Sequence, residues 1–538
     1  MTTGKVVVFL HRGKEGIMAK GIVKKCVATG MALATVVSVS ACGSSATASN
    51  SAKATDAAVE KPEKIKVMAD TSVIKESNGA QAFYDQLKEA TGIDVEWIRP
   101  DHSGYYDAVG NAFNNEDDMP DVVYLSSGYY AMYAANGMLW NMTDAWNNSE
   151  VKKSGRLKSS ADDIYQSLMV NGDDGQKGLY GLATISGGGS FTYVRESWLK
   201  AAGYSRSDVE GKTLTFDQYY EMLTKMHQAT GKCVISAPGY VGGDTPYTNY
   251  LPEFYQNAHY SFYENSEGKF VDGFTEQDMK DALGRIAKGV ADGIIDQETI
   301  NNTTTDAREK FFGSNTGVFT YWAGDWAQTL QSTLDSRGDS DSMVILDPIQ
   351  ELGKYTEIIS NCWCITSTAE NPEGIFEYWL SKMMDGGDIQ TLWTYGAKGT
   401  HWDTKAETVT LQGSDQSTTY EEGTFHFLPS PEKPSVLQQK NDQDPTVAIS
   451  NFTNGDPGED AVSKVSRDTE DYFLAHAKLA DPLPFNEVLG DNISDINKER
   501  SLLVASVASG SMTVDQAMTE YTSKVGSLVQ EVLDSMNK

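Results

Sequence analysis

Between Ile65 and Leu125 the sequence alternates strand-like and helix-like segments, and that alternation leaves few folds open. Ile65 to Ala69 alternates apolar and polar residues as a strand does. Ala80 to Thr91 places Phe83, Leu87 and Ala90 on one helical face, with Gly92 positioned to stop the helix. Ile93, Val95 and Trp97 alternate again, a helix follows from Tyr105-Tyr106 through Phe113, and Asp121 to Leu125 reads as a third strand. A β-α-β-α-β order of this kind predicts a parallel sheet covered by helices. Further along, Thr215 to Gln218 and Thr513 to Gln516 fit capping boxes, and Thr275 to Asp278 fits a weaker one. The stripes behind them (Tyr219, Met222, Leu223, Met226; Met279, Leu283, Ile286; Tyr521, Val525, Leu528, Val532) recur at helical spacing and are expected in the core. The polar segment from Asp403 to Tyr420 reads as a surface strand pair or an excursion.

The N-terminus carries an export signature. Lys20, Lys24 and Lys25 precede an uncharged apolar run from Cys26 to Val39 that is shorter than the ~20 residues a spanning helix needs. Val39-Ser40-Ala41-Cys42-Gly43 resembles the lipobox of bacterial lipoproteins, in which the Cys is lipidated and becomes the new N-terminus. An ordinary signal peptide with an incidental Cys42 is the alternative, and either Met1 or Met18 could be the start. On this reading residues 1–41 are a signal peptide and 42–63 a flexible tether, since Gly43 to Pro62 is small and polar. Two or more acyl chains would hold the protein at a membrane, facing outward.

The formal net charge is −31, and removing residues 1–41, with six basic residues and one acidic, takes it to −36. Nucleic acid needs a basic footprint and is excluded; anionic ligands are discouraged unless a local basic pocket exists. Beyond Cys26 and Cys42 only Cys233, Cys362 and Cys364 remain, which is no disulfide framework. Cys362 and Cys364 flank Trp363 in a strand-like run and are expected as buried thiols on one face. No H-E-x-x-H, G-x-S-x-G, Walker A or Gly-x-Gly-x-x-Gly motif is present, so no enzymatic step is indicated. No cofactor is expected, although Asn171-Gly172-Asp173-Asp174-Gly175 is oxygen-rich enough to raise calcium against a plain Asp-Gly turn. Gly187-Gly188-Gly189 reads as a crossing between strands or a close approach of backbone to ligand.

Aromatic residues beside hydrogen-bonding groups in loop-like contexts mark the candidate site. These are Ser127 with Tyr129-Tyr130, Tyr247, Trp322 followed by Asp325-Trp326, Trp363, Trp393 with Tyr395, and His401-Trp402. A flat ring covers the C–H face of a sugar while neighbouring polar groups take its hydroxyls. Many of these rings could equally fill the core.

Four stretches resemble the lipoprotein solute-binding components of bacterial ABC importers that capture oligosaccharides. They are Asp117 to Tyr124, Lys177 to Leu182, Arg195 to Gly203 with Thr213 to Leu223, and Leu392 to Trp402. Ala183 stands where the family usually has Pro, and Lys398 where it usually has Glu. The resemblance implies an α/β, two-lobed periplasmic-binding-protein-like fold with a ligand cleft between lobes joined by crossing hinge segments. It places one lobe at 64–185 and about 325–400, the other at 186–324 and about 401–538. It implies a monomer that binds a carbohydrate and hands it to permease subunits, with Tyr129 and Trp326 stacking sugar rings and Ser127, Asp325 and His401 taking hydroxyls. A receptor for peptides or polyamines and a secreted glycosidase are the alternatives.

Overall fold

The computed structural model describes residues 59–71, 79–101, 104–115, 118–157, 160–241, 250–339, 341–415, 417–438, 464–481 and 486–538. The expected signal peptide, Cys42 and most of the expected tether therefore lie outside the described residues. Residues 58–538 form one compact unit, built around two separate hydrophobic cores.

The first core surrounds a four-stranded sheet in the order 362–365, 122–125, 64–68, 94–98. Lys64–Met68 pairs in parallel with Asp94–Ile98 and with Val122–Leu125, as the alternation predicts. Cys362–Ile365 joins antiparallel from almost 240 residues further along the chain, with Cys362 opposite Leu125. Both thiols are buried in this strand. The helix Ala80–Thr91 buries Phe83 and Leu87 and ends at Gly92, whose φ of 66° lets its N–H reach the Lys88 carbonyl.

The second core surrounds an antiparallel sheet of Met343–Ile345, Ser190–Arg195 and Val318–Trp322. Phe216–Thr230 starts with the expected capping box: Thr215 accepts from Gln218 N–H and Gln218 reaches back. Thr513 and Gln516 do the same for the last helix, Val514–Met536. Thr275 does not cap; it ends a 3-10 turn begun by Asp272, and the helix Gln277–Ala291 follows Glu276.

The division between lobes differs from the one expected. Ala327, Leu330, Leu334, Val344, Leu346 and Tyr355 pack in the second core, so the stretch from 325 to about 355 belongs with 190–324. Their apolar faces lie against the sheet that Ser190–Arg195 builds, not against the first. Conversely, Trp402 and Phe427 form a satellite cluster with Tyr395, the last residue of a helix whose Trp393 lies in the first core, so residues 401–438 attach there. The stretch 407–420 is the exposed strand pair, Glu407–Thr410 with Ser417–Tyr420. The end of the expected tether is docked: the carbonyl of Val59 accepts from Tyr378 Oη, and that of Glu60 from Asn371 Nδ2.

The second lobe buries a carboxyl in its core. Glu253 is almost fully buried, accepting from Thr192 Oγ1 at 2.6 Å and Tyr355 Oη at 3.3 Å. Desolvation pushes its carboxyl up to about 7. The folded state then holds the proton more tightly than the unfolded chain. The contribution is fully present below the usual carboxylate range, falls as pH rises to about 7 and is constant above, an expected loss of about 3 kcal/mol. Glu253→Gln should therefore flatten the fall in melting temperature between pH 5 and pH 8. Parallel pH curves for the two proteins would contradict this.

Candidate functional site

Two segments connect the cores within the described residues, and they run against each other. Residues 186–189 lead into Ser190–Arg195, and residues 358–361 lead from Tyr355–Glu357 into Cys362–Ile365. The Ile358 N–H donates to the Gly188 carbonyl at 3.0 Å. A Cβ on Gly187 would sit 1.8 Å from the Ile358 oxygen, and one on Gly189 would sit 2.6 Å from the Thr356 oxygen. The triple glycine is thus a crossing where two backbones touch. The carboxyl ends of one strand from each sheet open at this joint, because Leu125 pairs with Cys362 and Trp322 pairs with Ser190. Crevices outside strand carboxyl ends are where open α/β sheets bind ligands.

On the first lobe, the residues after Leu125 turn into the helix Ser127–Ala135. Ser127 is half-buried, and Tyr129 lies flat on Tyr106 with ring centroids 3.8 Å apart. The Tyr106 hydroxyl accepts the Ser126 N–H at 2.9 Å, which fixes the pair at the strand end.

On the second lobe, Trp322 is half-buried beside Gly188. Asp325 opens the helix Asp325–Ser336 and accepts a hydrogen bond from Ser466 Oγ. Trp326 keeps 39% of its surface exposed, unusual for so large a ring. It stands edge-on to Tyr321 at 5.1 Å, and the Arg308 guanidinium lies 4.8 Å from its centroid. Arg308 Nη1 donates to the Tyr321 hydroxyl at 2.8 Å.

The joint itself is acidic. Burial pushes the Glu357 carboxyl up to about 7, with Glu470 of the second lobe and Asp163 of the first adding repulsion and the Gly187 N–H partly offsetting it. One Glu357 oxygen is buried without a hydrogen-bond partner among the described residues. Glu470 lies beside Gly324, one residue before Asp325.

The structure thus gathers Trp322, Asp325 and Trp326 at the second lobe's joint end, and Ser127 and Tyr129 at the first lobe's. It withdraws five expected site residues into the interior. Tyr130 is buried, donating to the Leu168 carbonyl at 2.6 Å and accepting the Tyr180 N–H. Trp363 and Trp393 have no exposed surface and stand 5.7 Å apart beside Trp379. His401 is fully buried, with Nδ1 accepting the Ala397 N–H at 2.7 Å. Trp402 donates its indole N–H to the Gly396 carbonyl and stacks on Phe425. Aromatic composition does not distinguish these core rings from cleft rings. Tyr247 lies outside the described residues. Arg308, Tyr106, Glu357, Glu470 and Asp163 were not foreseen; each is a single residue without a local pattern, and only the fold brings them together.

The oxygen-rich stretch 171–175 closes a hairpin between Met169–Asn171 and Lys177–Leu179, where Asp174 accepts the Gln176 N–H. Among the described residues no group of three metal-ligating side chains converges, and no helix is long and apolar enough to cross a membrane.

Two α/β lobes joined by crossing segments, with polar and aromatic side chains on both sides of the joint, define a binding protein of the periplasmic type. Residues 71–379 match the family described as bacterial extracellular solute-binding protein, and the chain belongs to that family. Solved structures with the same fold include the alginate-binding protein AlgQ2 without calcium ion, 14% identical, with a TM-score of 0.59 over 89% of this chain and 98% of that one. The N-glycan transport solute-binding protein of Streptococcus pneumoniae is 15% identical, with a TM-score of 0.57 over 88% of this chain and 98% of that one. The sugar-binding protein MalE of Xanthomonas citri is 13% identical, with a TM-score of 0.57 over 87% and 98%. No curated protein sequence matches the chain significantly.

Proposed function

We propose that this protein is a receptor that captures an oligosaccharide in the crevice at the joint and delivers it to an ABC importer permease, anchored outside the membrane by lipid on Cys42. The observation that carries the reading is Trp326: a large ring left exposed at the second lobe's joint end, braced by Tyr321 and Arg308. The stacked Tyr106–Tyr129 pair offers a second platform on the first lobe. The sugar-binding neighbours agree with this chemistry, and so does the set of hydroxyl acceptors Asp325, Glu357 and Glu470. A ligand touching both lobes favours the closed state by its differential affinity, and the glycine crossing supplies the hinge. No bond is made or broken.

Trp326→Ala should weaken oligosaccharide binding by about 1–3 kcal/mol through lost stacking area. Calorimetric titration of the folded variant checks this, after a thermal-shift screen of oligosaccharides, peptides and polyamines has identified the ligand. An unchanged affinity would remove Trp326 from the site. A shift with peptides or polyamines alone would overturn the carbohydrate reading.

A further inference from the structure

We infer that the second-lobe wall of the crevice reads an anionic substituent: Arg308, stacked on Trp326, takes the carboxylate of an acidic oligosaccharide such as a uronide. This rests on the oligosaccharide reading above and narrows its ligand class.

The chain has 75 acidic and 44 basic residues, and several guanidiniums take a carboxylate. Arg195 pairs with Asp339 and Asp341, Arg206 with Glu196 and Glu210, Arg337 with Glu309, and Arg500 with Asp272. Arg308 makes no ion pair among the described residues; its hydrogen bonds go to the neutral hydroxyls of Tyr321 and Thr305. Arg285 also lacks a carboxylate, but it is tied to the backbone carbonyls of Phe254 and Tyr255 and serves the core. Arg308 instead stands at the exposed ring of the crevice.

Its geometry suits the task. Stacking on an indole holds the guanidinium plane without using its edge. Two hydroxyl acceptors fix its orientation, and the remaining N–H groups form a fork matched to a planar carboxylate. The acidic groups Glu357, Glu470 and Asp163 at the joint repel an anion and accept hydroxyl donors. An acidic sugar would therefore bind in one direction, carboxylate at Arg308 and hydroxyls at the joint. Arg308 is a basic group that an anionic ligand of so acidic a chain could use.

The test compares a galacturonate trimer with the neutral galactose trimer by calorimetric titration of the whole protein, at low and high salt. The expected result is tighter binding of the uronide, with a preference that weakens as salt rises. Arg308→Gln should cut that preference by roughly 10–100-fold, and Arg308→Lys, which keeps charge but loses the fork, should retain part of it. Equal or better binding of the neutral trimer by the unaltered protein overturns the inference and leaves the oligosaccharide reading standing. Binding of neither trimer, with a response to peptides or polyamines, overturns both. A uronide preference that survives Arg308→Gln, with melting temperature unchanged, removes the role from Arg308.

Discussion

Arg500→Met should destabilise the second lobe by about 3–5 kcal/mol, the cost of stranding a buried charge. Arg500 has no exposed surface and lies among four rings, those of Tyr260, Phe262, Phe274 and Tyr521. Its Nη2 pairs with Asp272 at 2.7 Å, and its Nε donates to the Tyr521 hydroxyl at 3.0 Å. One side chain thus ties the last two long helices, Glu487–Ala508 and Val514–Met536, to the strand Phe270–Asp272. Methionine fills much of the volume but leaves Asp272 buried without its counter-charge. The double variant with Asp272→Leu should therefore lose less than Arg500→Met alone, because it removes the stranded carboxylate as well. Urea unfolding of both variants measures the difference. A loss under ~1 kcal/mol for Arg500→Met, or a larger loss for the double variant, would contradict this account of the lobe.

Trp393→Ala should cost a similar ~3–5 kcal/mol, from cavity formation in the first core. The ring is fully buried, 5.1 Å from Phe83, 5.7 Å from Trp379 and 5.7 Å from Trp363. This prediction separates a core ring from a cleft ring. Trp393→Ala should lower the melting temperature and leave ligand affinity in the remaining folded protein near that of the parent, the reverse of Trp326→Ala. Selective loss of affinity at unchanged stability would return Trp393 to the site.

The contrast between these two tryptophans shows what sequence could and could not convey. Local chemistry was legible where it acts through neighbours in the chain. The Thr215 and Thr513 capping boxes, the Gly92 helix stop, the buried C-x-C strand and the triple-glycine crossing all depend on nearby residues, and all appear as read. The lobe division was not legible between 325 and 355. The helix Asp325–Ser336 carries an apolar stripe that would fit either sheet, and only the antiparallel addition of Met343–Ile345 to Ser190–Arg195 decides. Trp326 and Tyr129, which the structure leaves at the joint ends of the two lobes, were legible as aromatic residues following strands. Trp363, Trp393 and Trp402 looked the same because residue type does not encode depth. Arg308 and Glu357 were hidden for a different reason: the features that mark them are a missing partner and a position at the joint.

The proposed receptor captures its ligand by closure at the crossing. Small-angle X-ray scattering of the protein with and without its best oligosaccharide tests it most directly, with the same samples assayed for reducing ends. The expected result is a smaller radius of gyration on saturation, reversed on removal of the ligand, with no new reducing ends. Saturation without any change in radius, or steady release of reducing ends, would contradict it.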